Sequence, residues 1–464
     1  MNPMVTAARW RGALPHYHSP TGARIGGRGY IVAAVLFCRA GADYEELCLR
    51  FIHTPPPVKP AISMPPSNTL KRSLSLPATS FYGIGTIIGA GIYVLVGKVG
   101  ASAGLYLPHA FLLAGIIAAF TALSYAELAS RFPHSAGSAA YIHQAWKRRL
   151  PAQLVAVLVA ATGIVSAATI ANGFVGYLDL FIEVPHSLAI IVLMAALTIV
   201  ALWGIEQSAL TVTVVTLIEA AGLLFVIYAS QHAAPAHEWG EIVSFPHAAE
   251  WSGVLVGSFL AFYAFIGFED MVNLAEEVRN PRKTLPRAIL IAITVSTVLY
   301  MAVAALAVRT LPLPELAQSR APLASMVGNA GYSPVFIGVI SMFAVVNGAL
   351  VQIIMASRLL YGMAKKGMAP GVFRRVHPKT RTPVAATLLV AGIILAIALW
   401  LPLTLLAKIT SLIMLVVFCL VNLALVTVKI HTPPAVEDVT RYPFWVPVVG
   451  FLLCISLIGF QFTA

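Results

Sequence analysis

The stretch Gly83-Ile84-Gly85-Thr86-Ile87-Ile88-Gly89-Ala90-Gly91-Ile92-Tyr93 lies inside an apolar run long enough to cross a bilayer. Four glycines within nine residues burden a helix. Each costs about 1 kcal/mol against Ala in a helix interior. At membrane depth, broken backbone survives only where protein or a water-filled cavity satisfies its free N–H and C=O groups. The stretch therefore predicts a spanning helix interrupted at mid-membrane, with a solute site at the interruption.

The rest of the chain fits a membrane setting. Its 464 residues are 59% hydrophobic and only 10% charged, with a mean hydropathy of +0.86. A soluble domain carries about 25% charge. Apolar runs recur near 74–97, 105–129, 152–176, 187–204, 209–230, 252–275, 285–308, 333–362, 384–401, 404–428 and 443–462. Each is about 20 residues, one bilayer crossing. The expectation is an all-α polytopic bundle of about eleven transmembrane helices, here called spans 1 to 11.

The formal net charge of +12 could suggest a nucleic-acid partner, but its distribution argues against one. Lys and Arg cluster in alternate loops: Lys147-Arg148-Arg149, then Arg279 to Arg287, then Lys365 to Arg381. The intervening loops carry acids such as Asp179, Glu183, Glu238 and Glu241. This is the positive-inside pattern. It predicts a multi-pass protein of the plasma or bacterial inner membrane, in contact with lipid, with its N-terminus cytoplasmic.

Residues 1–69 differ from the rest and read as a disordered cytoplasmic tail rich in Arg, Pro and Gly. The apolar run from Tyr30 to Cys38 is too short to span, and it lacks the cleavage pattern of a signal peptide. Met64 begins a conventional lead-in to span 1, so residues 1–63 are expected to be dispensable. Of the four cysteines, Cys38 and Cys48 fall in the tail, and Cys419 and Cys454 stand alone in predicted spans. No metal-ligand spacing occurs, no Walker-type loop is present, and no cofactor is implied. The histidines sit almost wholly in loops or the tail, so no nucleophile, base or metal set converges within the spans as an enzyme would need.

A second stretch mirrors the first. Phe259-Leu260-Ala261-Phe262-Tyr263-Ala264-Phe265-Ile266-Gly267-Phe268-Glu269-Asp270 is an apolar span interrupted by Gly, with two acids directly after it. It is span 6, five spans after the first break. An odd number of spans per repeat makes the second copy run oppositely through the membrane. Residues 70–430 are therefore expected to form a ten-helix core of two inverted repeats, about 70–230 and 251–430, each with one broken helix. Residues 431–464 add a further transmembrane helix.

The two breaks suggest how a zwitterion could be held. The second half of span 1 begins near Gly89-Ala90-Gly91 and offers free amides, a helix N-terminus suited to a carboxylate. The first half ends near Thr86-Ile87-Ile88, and the first half of span 6 ends near Ala264-Phe265-Ile266-Gly267. Both ends offer carbonyls suited to an ammonium group. The alternative is that these glycines only permit close helix packing. Phe265, at the break, could close over the solute as a gate. Glu269 and Asp270 open the second half of span 6, where acids satisfy orphan amides. Glu276 and Glu277 belong to the charged loop signal, and Glu127 reads as an acid at the membrane interface.

Glu219 falls mid-span in helix 5. A charge at that depth costs about 2.5–3.5 kcal/mol on insertion scales. It should be protonated, or paired and facing the bundle. The readings are a neutral carboxyl bonded across a helix interface, or a group that couples protons or binds a cation.

At these residues the chain resembles the amino acid permeases of the amino acid–polyamine–organocation superfamily. The resemblance covers about 70–464. It rests on the Gly-rich first span, Ser124-Tyr125-Ala126-Glu127-Leu128-Ala129 with Arg131-Phe132-Pro133, Ala264-Phe265-Ile266-Gly267-Phe268, Glu276-Glu277 with Asn280-Pro281, and Ala356-Ser357-Arg358-Leu359-Leu360-Tyr361-Gly362-Met363-Ala364. It implies the leucine-transporter fold and secondary transport of an amino acid by alternating access, without ATP, coupled to protons or run as exchange. The alternatives are a polyamine or organic-amine permease, a membrane-embedded enzyme, or a receptor that does not transport. A polyamine has no carboxylate to place at the Gly-Ala-Gly break. Related permeases usually have a twelfth span, and often a Lys where Glu219 stands. In the resemblance that Lys replaces a sodium ion.

Overall fold

The computed structural model describes residues 72–134, 137–203, 209–365, 367, 369–431 and 439–463. The tail expected over residues 1–69 lies outside the described residues. Among the described residues the architecture is all-α. The long helices, in chain order, are α1 (Leu76–Ile88), α2 (Ala90–Ala103), α3 (Leu107–Arg131), α4 (Arg149–Leu178), α5 (His186–Trp203), α6 (Ala209–Gln231), α7 (Trp251–Ala261), α8 (Pro281–Thr310), α9 (Pro334–Lys365), α10 (Val384–Trp400), α11 (Leu403–His431) and α12 (Trp445–Thr463). Short helices over Gly137–Trp146, Leu313–Gln318 and Pro322–Asn329 fill connections.

Nine described segments are long and apolar enough to cross a membrane. One of them, Gly91–Arg131, runs through α2 into α3, while α1 and α10 are shorter apolar helices. With α1 and α2 as the two halves of span 1, and α10 as span 9, every expected apolar run has its helix. Prolines mark several starts where a missing N–H costs nothing: Pro77 in the first turn of α1, Pro108 in that of α3 and Pro281 at the first position of α8.

Equivalent helices of the two halves of the chain pack on each other. Span 1 meets span 6 through α2 and α7, span 2 meets span 7 through α3 and α8, span 3 meets span 8 through α4 and α9, and span 4 meets span 9 through α5 and α10. Two interlocked repeats running oppositely through a membrane produce this pairing. Lipid supplies no hydrophobic drive between helices, so close approach and buried hydrogen bonds must hold them together. A methyl on Gly257 would lie 2.9 Å from the Ala103 side chain. The Asn172 amide of α4 donates to the Ala398 carbonyl of α10 at 3.0 Å.

Helix direction alternates, so the loops that carry the Lys and Arg clusters share one end of the bundle, called the basic end here. That end is also where the chain is tied most densely. Glu127 of α3, expected at the membrane interface, is fully buried within the protein at this end. Its Oε1 accepts from Arg131 Nε at 3.0 Å and Nη2 at 2.7 Å. Its Oε2 accepts from Lys429 Nζ of α11 at 2.6 Å and from the Tyr442 N–H at 2.9 Å. Ser130 donates to the Arg282 carbonyl at 2.8 Å and accepts from the Thr440 N–H at 2.9 Å. The segment leading into α12 is thereby fastened to α3, α8 and α11.

Candidate solute site

The two interruptions have different forms. In span 1 a single residue, Gly89 (φ −37°, ψ −155°), separates α1 from α2. Thr86, Ile87 and Ile88 complete α1, and Ala90 and Gly91 open α2. In span 6, α7 tightens into a 3-10 turn over Phe262–Phe265. Ile266 is then extended (φ −67°, ψ 134°), and Gly267 takes φ 132° before a second 3-10 stretch over Phe268–Leu274. That φ is open to glycine and strained for other residues. Glu269 caps the turn, its Oε2 accepting the Gly267 N–H at 2.9 Å.

The breaks touch at two points. A Cβ on Gly91 would lie 2.5 Å from Ala264 Cα, and one on Gly267 would collide with the Thr86 carbonyl oxygen. These glycines let the halves of span 1 cross span 6 backbone to backbone. Tyr300 of α8 closes the joint: its hydroxyl donates to the Ile87 carbonyl at 2.6 Å and the Ala264 carbonyl at 3.1 Å. It thus bridges the end of α1 to the end of the 3-10 turn. Its single O–H hydrogen is shared between two carbonyls expected to face an ammonium group, with Ile87 the nearer acceptor.

Between the breaks lies a cavity of about 100 Å³. Of the expected residues, Thr86, Ile87, Gly89, Gly91, Ile266, Gly267 and Glu219 line it. Ile88 and Ala264 are buried behind it, and for Ala90 only the backbone is described. A methyl on Gly89 would meet no atom within 4 Å, so Gly89 borders open space, whereas Gly91 is also a packing contact. The wall also includes Ser166 and Ile170 of span 3, Asn347 and Gln352 of span 8, Thr216 of span 5, and Tyr82, Tyr263 and Asp270.

Phe265, expected at the break as a gate, is not among the residues that line the cavity. Its ring is fully buried and packs edge-on against Tyr300, with centroids 5.2 Å apart. The aromatic side chains on the cavity are Tyr82 and Tyr263. The Tyr263 hydroxyl shares a 2.8 Å hydrogen bond with Ser166 Oγ, joining span 6 to span 3.

Glu219, on α6, is 2% exposed. Its carboxyl oxygen Oε1 has no hydrogen-bond partner among the described residues. Tyr93 of α2 donates to the Glu219 backbone carbonyl at 2.7 Å, not to the carboxyl.

The cavity continues in one direction. A second space of about 370 Å³ shares Ile266, Asp270 and Gln352 with it and reaches Gly137–Ala139 at the basic end. Toward the opposite end α2 is shut against α4: the Tyr177 hydroxyl donates to the Tyr93 carbonyl at 2.5 Å, and Gly173 receives Val94. Beyond that closure a separate space of about 520 Å³ is lined by Lys98, Asn172, His186 and Arg320. The candidate cavity thus adjoins a second space toward the basic end, while α2 is packed on α4 on the other side.

Known proteins share this chain's pattern over most of its length. The family profile described as amino acid permease matches residues 74–464. The branched-chain amino acid permease of Bacillus subtilis is 29% identical over 84% of this chain and 88% of its own length. A methylthioribose transporter of Bacillus subtilis is 29% identical over 83% of this chain and 87% of its own length. A vacuolar cationic amino acid transporter of Arabidopsis thaliana is 29% identical over 79% of this chain, which spans 64% of that protein.

Proposed function

The chain belongs to the amino acid permease family, and from that premise we propose that it is a secondary active transporter that carries an amino acid by alternating access through the cavity between the two helix breaks. The family makes it a multi-pass membrane transporter rather than an enzyme. The observation that carries the reading is the meeting of both breaks on one buried space.

The substrate carboxylate lies at the N-terminus of α2, against the first amides after Gly89, where the helix dipole and free N–H groups favour an anion. The α-ammonium faces the remaining lone pairs at the end of α1 and of the 3-10 turn of span 6. Alternating access exchanges the present closure of α2 on α4 for a closure of the vestibule at the basic end. The basic end lies in the cytoplasm of a cell membrane, following the positive-inside rule, and the N-terminus lies on the same side. Residues 70–430 form the transport core, and 431–464 add a helix to it.

Glu219 is the coupling group. A proton bound there stabilises one conformation over the other, so that its binding and release drive the cycle. Purified protein in proteoliposomes should take up a labelled amino acid, with uptake competed by other amino acids and not by a polyamine. Competition by the polyamine alone would replace the reading with an organic-amine permease. Glu219→Gln cannot release a proton. It should still exchange labelled for unlabelled substrate but fail to accumulate it under an imposed pH gradient. Wild-type accumulation would remove Glu219 from coupling.

A further inference from the structure

We infer that the space of about 520 Å³ beyond the α2–α4 closure is an anion site, where Lys98 and Arg320, with His186 beside them, hold a carboxylate or an inorganic oxyanion and thereby keep α2 shut against α4. The site stands on its own geometry. Its effect on transport rests on the reading of the central cavity as the amino acid site.

The wall of this space is one-sided in charge. It contains Lys98, Arg320 and His186 and neither Asp nor Glu. A cleft lined by one sign of charge concentrates counter-ions. The Lys98 ammonium donates to the Ala317 carbonyl at 3.0 Å. No carboxylate pairs with it among the described residues, and it has further N–H donors to offer. Arg320 is near enough to repel it. Arg320 gives Nη1 to Asp179 at 3.1 Å, but Asp179 is not part of the wall, and the guanidinium fork has donors left for a second acceptor. The neutral polar groups of the wall are already engaged. The Asn172 amide donates to the Ala168 and Ala398 carbonyls, and Ser319 Oγ shares a hydrogen bond with Ser325. The donors left over are cationic, and a compact anion with oxygen acceptors is what they complete.

The floor of this space is the closure itself. Val94 of α2 and Gly173 of α4 meet there, and both also line the space. Lys98 stands one helical turn beyond Val94, on the same face of α2. Arg320 is seated on α4, its backbone against Gly176, and His186 opens α5. An anion shared by these groups therefore links α2 to α4 and α5 directly above their contact. His186 and Arg320 are exposed, so the anion enters from the end opposite the basic end. Withdrawal of α2 from α4 carries Lys98 away from Arg320 and breaks charge-assisted bonds to the anion. A ligand that binds only where its partners converge shifts the population toward that state.

Sulfate and acetate are the probes, one an inorganic oxyanion and one a carboxylate, with chloride at matched ionic strength as the reference. Each probe should raise the melting temperature of the purified full chain along a saturating curve, as a ligand of the folded state does. General stabilisation by sulfate rises without saturation. Lys98→Gln should lose the saturable part and keep the rest, while Lys98→Arg, which preserves the charge, should retain it and guards against a general folding defect. In proteoliposomes the probes should slow exchange of labelled for unlabelled amino acid by about threefold in the wild type and leave Lys98→Gln unaffected. The two sources of the anion separate in Gly89→Val, where the added side chain fills the central cavity. A saturable rise there with the transported amino acid, abolished by adding Lys98→Gln, identifies the carboxylate of a waiting amino acid, whereas a rise with sulfate and acetate alone identifies a free anion. Chloride reproducing the whole rise, or an unchanged saturable rise in Lys98→Gln, overturns the site. A saturable rise without slowed exchange in the wild type overturns the clamp on α2. If the wild type exchanges no amino acid at all, the reading of the central cavity fails, and the melting curves still decide the anion site.

Discussion

Gly89 and Gly91 stand two positions apart in one motif and do different work: Gly89 borders open space, while Gly91 sits on Ala264. Gly91→Ala would place its methyl 2.5 Å from Ala264 Cα, a backbone atom that cannot turn aside. Thermal unfolding in detergent should report a loss of about 1–3 kcal/mol, as overpacking does. Tyr300→Phe removes the hydroxyl shared by the Ile87 and Ala264 carbonyls. It should cost about 1–3 kcal/mol, since two buried acceptors lose their donor. The substitution should also weaken substrate binding, because the two breaks are no longer clipped together. The glycine run is legible as a break because so many glycines in an apolar span have few other meanings. Tyr300 is not legible: nothing local marks a tyrosine in span 7 as the bridge between spans 1 and 6. Phe265 shows a different gap. Sequence places it in the break, but the 3-10 turn over Phe262–Phe265 directs its ring to Tyr300 instead of the cavity.

At the scale of elements, the spans and their order are readable from apolar run length, because a bilayer imposes nearly one length on every crossing. The pairing of span 2 with 7 and span 3 with 8 comes once the two breaks are recognised five spans apart. The side chains that spans 3 and 8 lend to the cavity are harder to read. Ser166, Asn347 and Gln352 are ordinary polar residues on long helices, and only packing shows which face is turned inward. The Glu127 network is hidden from sequence for the same reason. Its position near a helix end suggests an interfacial acid, whereas Arg131, Lys429 and Tyr442 enclose it completely. Glu127→Gln would leave Arg131 and Lys429, both nearly buried, without their anion. Removal of one partner from a buried pair costs about 3–5 kcal/mol, so a large fall in melting temperature is expected. Asp179→Asn, at a pair whose arginine is 73% exposed, should change stability by less than about 1 kcal/mol.

For the whole molecule, the proposed transport core spans residues 70–430, and α12 is fastened to it through Thr440 and Tyr442. Residues 1–63 have the composition of a segment without a packed core. A chain begun at Met64 should insert and transport at the full-length rate, measured as uptake per molecule in proteoliposomes. The central claim is that solute binds in the space between the two breaks. Gly89→Val tests it most directly, because the added side chain projects into that space and a Cβ there meets no protein atom within 4 Å. The measurement is an equilibrium titration of purified protein with its transported amino acid, alongside the melting temperature of each sample. Binding should be saturable in the wild type, with at least about a tenfold loss of affinity in Gly89→Val and little change in melting temperature. Wild-type affinity in a stable Gly89→Val protein would contradict the claim and place the amino acid somewhere other than the helix breaks.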